Sequence, residues 1–219
     1  MAKFAASEGV SFPTSDGGVI FGDLYGSGDR GVVLAHGMRF DKASWRDQGI
    51  QLADAGYLVL AIDFRGYGRS HGGPQSRSPQ DEMHLDVLAA AQYLRQRGAR
   101  AVSAIGASMG GRASANAVVN APPGTIDRLI LLAHAPIQKP ERITGPTLFA
   151  TAKDDPVATH VLEQYAKARE PKQLLSLDGS AHAQFLFTSD QGARLMEEIL
   201  RFLGAQYAVR SRPFTTVPA

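Results

Sequence analysis

The sequence predicts an α/β fold: a mostly parallel central sheet, an antiparallel hairpin at the N-terminus and helices on both faces. Three observations carry this prediction. Two strand-like segments open the chain, short β-branched runs then alternate with helical patterns, and apolar residues make up 44% of the 219 residues. A chain of this length forms one core. Strands that alternate with helices favour a parallel sheet covered on both faces.

The opening segments, residues 10–15 and 19–25, flank an Asp-Gly-Gly sequence that is typical of tight turns between strands. Hydrophobic periodicity assigns the elements that follow. Strands are predicted at 31–36, 57–64, 101–106, 128–135, 146–152 and 172–178, and helices at 42–56, 78–98, 110–121, 157–170 and 191–205. We expect a single domain over residues 1–204 and a mobile tail over 205–219.

Composition excludes several classes of protein. The formal net charge is only +2 and basic residues alternate with acidic ones, so no basic face for nucleic acid is expected. The absence of cysteine excludes disulfides, thiolate nucleophiles and Cys-ligated zinc. No apolar run approaches the ~18 residues of a membrane span, and the N-terminus lacks a signal-peptide pattern. We therefore expect a cytoplasmic location.

The pattern Gly-x-Ser-x-Gly occurs twice, around Ser108 and around Ser70. Only Ser108 directly follows a buried strand and precedes a helix, which is the context of a strained turn that raises a serine hydroxyl above a sheet. Ser70 lies in a loop too rich in Gly and Ser to start a helix, so we interpret it as structural. Ser108 is therefore the candidate nucleophile.

A serine hydroxyl needs a base to remove its proton, and the base needs a carboxylate to orient it. His182, in the loop after the last strand, is the candidate base. The remaining histidines are interpreted as structural or solvated, with His36 shaping the turn after the strand 31–36: His36, His71, His84, His134 and His160. Two carboxylates, Asp154 and Asp155, follow the strand 146–152. We expect one to orient the histidine and the other to cap the next helix.

The order of GVVLAHG, GASMGG, AKDDPV and DGSAH resembles the α/β-hydrolase superfamily over nearly the whole chain. The family's G-x-x-D-x-x-V pattern, laid on residues 151–157, puts Asp154 in the position of the acid, although Thr151 replaces the usual Gly and leaves Asp155 as the alternative. Residues 63–70 are similar to the family's D-x-R-G-x-G-x-S loop, which accounts for the second match at Ser70.

The resemblance also implies an α/β-hydrolase fold with an oxyanion hole made by the backbone N–H groups of Met38 and Met109. Only residues 136–145 separate the strands between which many relatives insert a helical cap. The chain thus resembles the small cap-less members, including the dienelactone hydrolase-like group. Those enzymes use Cys as nucleophile, so Ser108 argues against their particular activity. Candidate pocket residues are Trp45, Phe185, Phe187 and, toward an anionic substrate, Arg39.

We therefore expect a serine hydrolase that cleaves small to medium carboxylic esters through an acyl-enzyme, with a small-molecule ester as its partner and no metal or organic cofactor. Thioesterase, amidase and perhydrolase activities use the same residues and remain alternatives. Epoxide hydrolase and haloalkane dehalogenase chemistry would require Asp in place of Ser108. An alternative from another class is a binding or regulatory protein that keeps the fold without turnover. The residues do not specify an oligomeric state.

Overall fold

A computed structural model describes residues 7–74 and 78–205. Its strands are β1 Glu8–Pro13, β2 Val19–Tyr25, β3 Arg30–Ala35, β4 Leu58–Ile62, β5 Ala101–Ala107, β6 Arg128–Leu132, β7 Thr147–Ala152 and β8 Lys172–Leu177. Its α-helices are α1 Arg46–Asp54, α2 Pro79–Gln96, α3 Met109–Asn120, α4 Ala158–Lys167, α5 Phe185–Thr188 and α6 Gly192–Gly204. Short 3₁₀ helices span Lys42–Trp45 and Pro140–Arg142.

All eight strands form one sheet in the order β1-β2-β4-β3-β5-β6-β7-β8. β1 and β2 form an antiparallel hairpin, β2 also runs antiparallel to β4, and the remaining neighbours are parallel. The predicted fold class is confirmed. Because parallel strands end at the same edge of a sheet, the loops after β3, β5, β7 and β8 meet there.

The inner strands β3 to β7 of the sheet are buried on both faces. Alternate residues of β3 enter two separate apolar clusters, with Val33 in the cluster that contains residues of α2 and α3 and Val32 in the cluster that contains residues of α1 and α6. Both valines are fully buried. Burial of each such side chain contributes about 1.5–3 kcal/mol relative to exposure, and burial on both faces explains why the inner strands are continuous apolar runs.

Besides the pairing of β2 with β4, the buried side chain of Arg65 ties the N-terminal hairpin to the rest of the fold. Its guanidinium binds Asp86 at 2.7 Å, Asp16 of the hairpin turn at 2.8 Å and Glu82 at 3.0 Å. The hydrogen bond to Arg65 holds the pKa of Asp16 well below its usual range. Arg65 thus joins the hairpin, α2 and the loop that follows β4.

The predicted elements match the structure to within a few residues, with two differences. β6 ends at Leu132 rather than at residue 135, because Ala133 takes a left-handed conformation (φ 42°). The short helix α5 was not predicted. Residues 133–146, between β6 and β7, contain only one 3₁₀ turn and no cap. The predicted tail lies, from residue 206 onward, outside the described residues. In the part of the chain that the structure describes, none of the helices could cross a membrane.

Candidate active site

Ser108 lies in a strained turn between β5 and α3. Its φ of 48° is in the left-handed region, a conformation that costs a non-glycine residue about 1–3 kcal/mol and persists only where the surroundings determine it. Three backbone hydrogen bonds hold it here. The Ser108 N–H donates to Leu132 O at 2.9 Å, and the Ser108 carbonyl accepts from Ala135 N at 2.9 Å and from Arg112 N at 3.2 Å.

The two glycines of the pattern around Ser108 are required by close backbone contact. A Cβ on Gly106 would collide with the carbonyl oxygen of Gly110, and a Cβ on Gly110 would collide with the carbonyl oxygen of Ala35. The turn is therefore packed against both its own helix and the end of β3. This close packing explains why the pattern around Ser108 has glycine at both positions.

His182 bridges Ser108 and a buried carboxylate. Its Nε2 lies 2.9 Å from Ser108 Oγ, and its Nδ1 lies 2.8 Å from Asp155 Oδ2. The Asp155 side chain is 1% exposed and that of His182 is 37% exposed. Because a carboxylate only accepts, Nδ1 carries the proton and Nε2 is the acceptor for the Ser108 hydroxyl. This is the arrangement that general-base activation of a serine requires.

The prediction that Asp154 orients the histidine is wrong in this structure, since the carboxylate at His182 belongs to Asp155. A turn closed by the hydrogen bond from Asp155 N to Ala152 O leaves the Asp154 side chain in solvent. The other Asp155 oxygen, Oδ1, accepts from Val157 N at 3.0 Å directly before α4, but neither aspartate caps that helix through its side chain. The family spacing, counted from a strand whose usual Gly is Thr151, was misaligned by one residue.

Tyr67 contacts both of the residues predicted to supply oxyanion donors. The Tyr67 hydroxyl donates to the Met38 carbonyl at 3.0 Å and lies 3.8 Å from the Met109 sulfur. Met109 is the first residue of α3, so its N–H has no acceptor within the helix. Tyr67 was not identified from sequence, where it is one variable position of the D-x-R-G-x-G-x-S loop.

The peptide between Gly37 and Met38 has a defined orientation. The Gly37 carbonyl accepts from Phe40 N at 3.0 Å and from His36 Nδ1 at 2.8 Å. In a trans peptide the N–H points opposite to the carbonyl, so the Met38 N–H is directed away from these two donors. The predicted turn-shaping role of His36 is confirmed. Its Nε2 accepts from Phe64 N at 3.2 Å, and burial lowers its pKa, so the ring is neutral.

The other four histidines each make a ring contact to a backbone carbonyl and none to Ser108. One of them, His134, directly follows the end of β6 and is fully buried. Burial lowers the pKa of His134 to about 4. The carbonyl partners of His71, His84, His134 and His160 are Gly72, Asp81, Ala135 and His134 respectively. Their structural interpretation is consistent with these contacts.

The predicted pocket residues divide into two groups. Trp45 is wrong as a pocket residue, because it is fully buried in the core and packs edge-on against the half-buried Phe187 at 5.6 Å. Phe185 is 53% exposed and packs against Phe40, with the two ring centroids 5.0 Å apart. Arg39 is exposed in an open groove of about 500 Å³ lined by Met38, Arg39, Phe40, Asp41, Ser44, Tyr67 and Gly68.

A second cavity, of about 590 Å³, lies against the N-terminal hairpin and is lined by none of Ser108, His182 and Asp155. Its charged residues are already paired in part, as Lys42 binds Asp23 at 2.9 Å. Over residues 7–74 and 78–205, no three His, Asp or Glu side chains are grouped to hold a metal ion. The groove beside Met38 is also lined by none of these three residues, but it contains Tyr67, whose hydroxyl lies 3.8 Å from the sulfur of Met109, the residue after Ser108. It is therefore the better candidate for substrate.

The sequence is similar to those of several known proteins. Non-heme chloroperoxidase from Streptomyces lividans is 35% identical over 134 residues, 61% of this chain and 47% of that protein. The candidate protein-lysine deacylase ABHD14B from Rattus norvegicus is 28% identical over 167 residues, 73% of this chain and 78% of that protein. The chain spans less than half the length of the first two curated relatives that it matches.

Among solved structures, the esterase EaEST from Exiguobacterium antarcticum superposes with a TM-score of 0.75 at 17% identity, covering 90% of this chain and 100% of that one. Identity this low indicates a shared fold alone. The model of the Hydrolase_4 family, described as serine aminopeptidase, S33, matches residues 27–139, from before β3 through the Ser108 turn and past β6. Because this match covers more than half of the chain, the protein belongs to the Hydrolase_4 family of α/β-hydrolases.

Proposed function

We propose that this chain is a serine hydrolase that cleaves small to medium carboxylic esters with Ser108 as nucleophile, His182 as general base and Asp155 as the orienting acid. One observation carries the proposal. The Ser108 hydroxyl donates to His182 Nε2 at 2.9 Å and His182 Nδ1 donates to Asp155 at 2.8 Å, so a buried carboxylate is joined through the histidine to a half-buried hydroxyl.

In the acylation step, Ser108 Oγ attacks the ester carbonyl carbon while His182 Nε2 takes the hydroxyl proton. The Asp155 carboxylate stabilises the imidazolium that forms. Negative charge on the former carbonyl oxygen is met by the N–H groups of Met38 and Met109, an effect of about 3–4 kcal/mol for each donor. The imidazolium then gives its proton to the departing alcohol.

In the deacylation step, His182 takes a proton from water as the water oxygen attacks the acyl-enzyme carbonyl. The tetrahedral intermediate collapses, the bond to Ser108 Oγ breaks, and the serine recovers its proton from His182. The carboxylic acid is released and the enzyme returns to its starting state. Every proton in the cycle passes through His182 Nε2.

The open groove supports small to medium acyl groups. No cap stands between β6 and β7, and Met38 at the groove is 61% exposed. A lid-less site provides little burial for a long acyl chain. Exposed Arg39 would favour a negatively charged substrate group near the Met38 peptide.

The direct test is hydrolysis of p-nitrophenyl esters from acetate to palmitate by the wild type and by Ser108→Ala. We expect turnover of the short esters, declining with chain length, and none in the variant. Labelling of Ser108 by a fluorophosphonate separates this proposal from a non-catalytic binding role. A folded wild-type protein that neither hydrolyses an ester nor becomes labelled would contradict the proposal.

Cleavage of an acyl-lysine amide is the second candidate. It is supported by the match to ABHD14B, which extends over 73% of this chain, and by the description of the family as serine aminopeptidase. The same three residues would act, with the lysine amine as leaving group. Incubation with an acetyl-lysine peptide distinguishes the candidates: release of acetate at a rate comparable with ester hydrolysis would favour the amide.

A further inference from the structure

Gln184, two residues after His182, is buried between three segments of the chain. It is 5% exposed. Its side-chain oxygen accepts from Gly37 N at 3.1 Å and its nitrogen donates to Ser44 Oγ at 3.0 Å. The orientation of the amide is set by chemistry, because a backbone N–H can only donate and must therefore face the oxygen.

The hydrogen bond with Gln184 restrains Gly37, the residue that directly precedes the Met38 N–H. Glycine has more backbone freedom than any other residue, and a Cβ here would lie 3.2 Å from the Gln184 oxygen. The Gly37 carbonyl is already held by His36 and Phe40. With the N–H also held, the peptides on both sides of Gly37 are fixed, and the direction of the Met38 N–H is fixed with them.

The same side chain connects this loop to the candidate base. Ala183, between His182 and Gln184, has a φ of 53°, and Phe185 N donates to the His182 carbonyl at 3.1 Å. This turn sends the His182 ring toward Ser108 and the Gln184 amide toward Gly37. Two loops that lie 147 residues apart in the sequence are therefore joined by one hydrogen bond.

We infer that Gln184 is a positioning residue that sets the Met38 N–H at the correct place relative to His182 and Ser108. Its side-chain hydrogen bonds go to Gly37 and Ser44, so it acts through the Gly37 peptide. The inference rests on the proposed function, because it concerns stabilisation of the oxyanion formed when Ser108 attacks. Its effect falls on the transition state more than on substrate binding.

The test is a comparison of wild type with Gln184→Leu on p-nitrophenyl acetate, together with inhibition by an alkyl trifluoromethyl ketone. That inhibitor forms a hemiketal oxyanion with a serine and therefore reports on the oxyanion hole. We expect kcat to fall about 10- to 100-fold, less than the about 10²- to 10³-fold loss typical of a deleted oxyanion donor. KM should stay within about twofold, and the inhibition constant should rise by the same factor as kcat falls.

One further variant separates positioning from packing. Ser44→Ala removes the other partner of the amide and leaves the Gly37 contact, so kcat should fall less than in Gln184→Leu. Thermal unfolding of each variant measures the loss of stability independently of kcat.

The possible failures are distinguishable. An active wild type with a folded Gln184→Leu that keeps its kcat and its affinity for the trifluoromethyl ketone contradicts only the positioning role. A fall in kcat that leaves inhibitor affinity unchanged contradicts it as well. A wild type without turnover overturns the proposed function and, with it, the role of Gln184.

Discussion

The same five-residue pattern occurs at Ser108 and at Ser70, and the two sites differ in every physical respect. Ser108 has a φ of 48°, precedes a 12-residue helix and directs its hydroxyl to His182. Ser70 is 5% exposed and its hydroxyl accepts from Phe21 N at 2.9 Å, which fixes the loop after β4 to β2. The pattern has meaning only where a buried strand enters a helix.

The carboxylates Asp155 and Asp154 form a second pair of this kind. They are neighbours, yet one is buried against His182 and the other is in solvent. In both pairs the residue at the site is the one whose side chain hydrogen-bonds to His182. Function therefore follows from the three-dimensional neighbours of a side chain and not from its type.

The largest expected effect is on the serine pair. Ser108→Ala should lower kcat for p-nitrophenyl acetate by at least about 10⁴-fold, because the nucleophile is removed. Ser70→Ala should change kcat by less than about twofold, since the Ser70 hydroxyl accepts its hydrogen bond from Phe21 of β2 and not from the site. Initial rates of both variants at equal folded concentration measure the difference. Comparable losses in the two variants would contradict the assignment of the nucleophile.

The carboxylate pair should differ by nearly as much. Asp155→Asn should lower kcat about 10³- to 10⁴-fold, because the amide cannot stabilise the imidazolium and can favour the wrong tautomer. Asp154→Asn, its matched control, should change kcat by less than about twofold. If Asp154→Asn is the more damaging variant in steady-state kinetics, the family spacing is right and the geometry described here is wrong.

A third contrast is between His182, at the candidate site, and the buried His134, which should affect stability and not catalysis. The pKa of His134 is lowered to about 4 in the folded state, so the unfolded chain binds the proton first as pH falls below about 6.5. Stability present near pH 7 is therefore lost between pH 6.5 and 4. From pH 7 to pH 5 the loss due to His134 is about 2 kcal/mol.

His134→Phe removes this titration while keeping a flat ring against Phe149, whose ring centroid lies 5.6 Å away. Urea unfolding at pH 7 and pH 5 should show a smaller loss of stability in the variant than in the wild type. The lowered pKa of His36 acts in the same direction in both proteins. Identical pH dependence in the two proteins would exclude His134 as a source of acid sensitivity.

The smallest expected effect is that of Ser70→Ala on the stability of the protein. Ser70→Ala leaves the Phe21 N–H without its acceptor in a part-buried position, which should lower the free energy of unfolding by about 1–2 kcal/mol. Chemical unfolding measures this loss, with Ser176→Ala at the exposed side of β8 as a control. A Ser70→Ala protein as stable as the control would mean that this hydrogen bond contributes nothing net.

Much of the fold was predictable because it depends on local pattern. The inner strands are apolar on both faces, and the glycines around Ser108 record contacts that leave no room for a Cβ. Ser108 and His182 could be identified because each follows a strand of the sheet. The order of strands, helices and motifs along the chain was therefore the main basis of the prediction.

The remaining errors concern contacts that the sequence does not encode locally. Whether Asp154 or Asp155 reaches His182 depends on one turn after β7, and Trp45 was assigned to a pocket although it lies in the core. Tyr67 and Gln184 contact the Gly37-Met38 segment from distant loops. No periodicity or spacing marks such residues.

The short connection from β6 to β7 makes this protein a scaffold to which a lid could be added. Residues 133–146 carry none of the three residues at the candidate site, and Lys139 and Glu141 are exposed. Extending a surface loop costs only about 0.6 kcal/mol for each doubling of its length. Substrate selectivity could thus be engineered by insertion at the exposed Lys139 or Glu141, which leaves in place the hydrogen bond from Ala135 N to the Ser108 carbonyl.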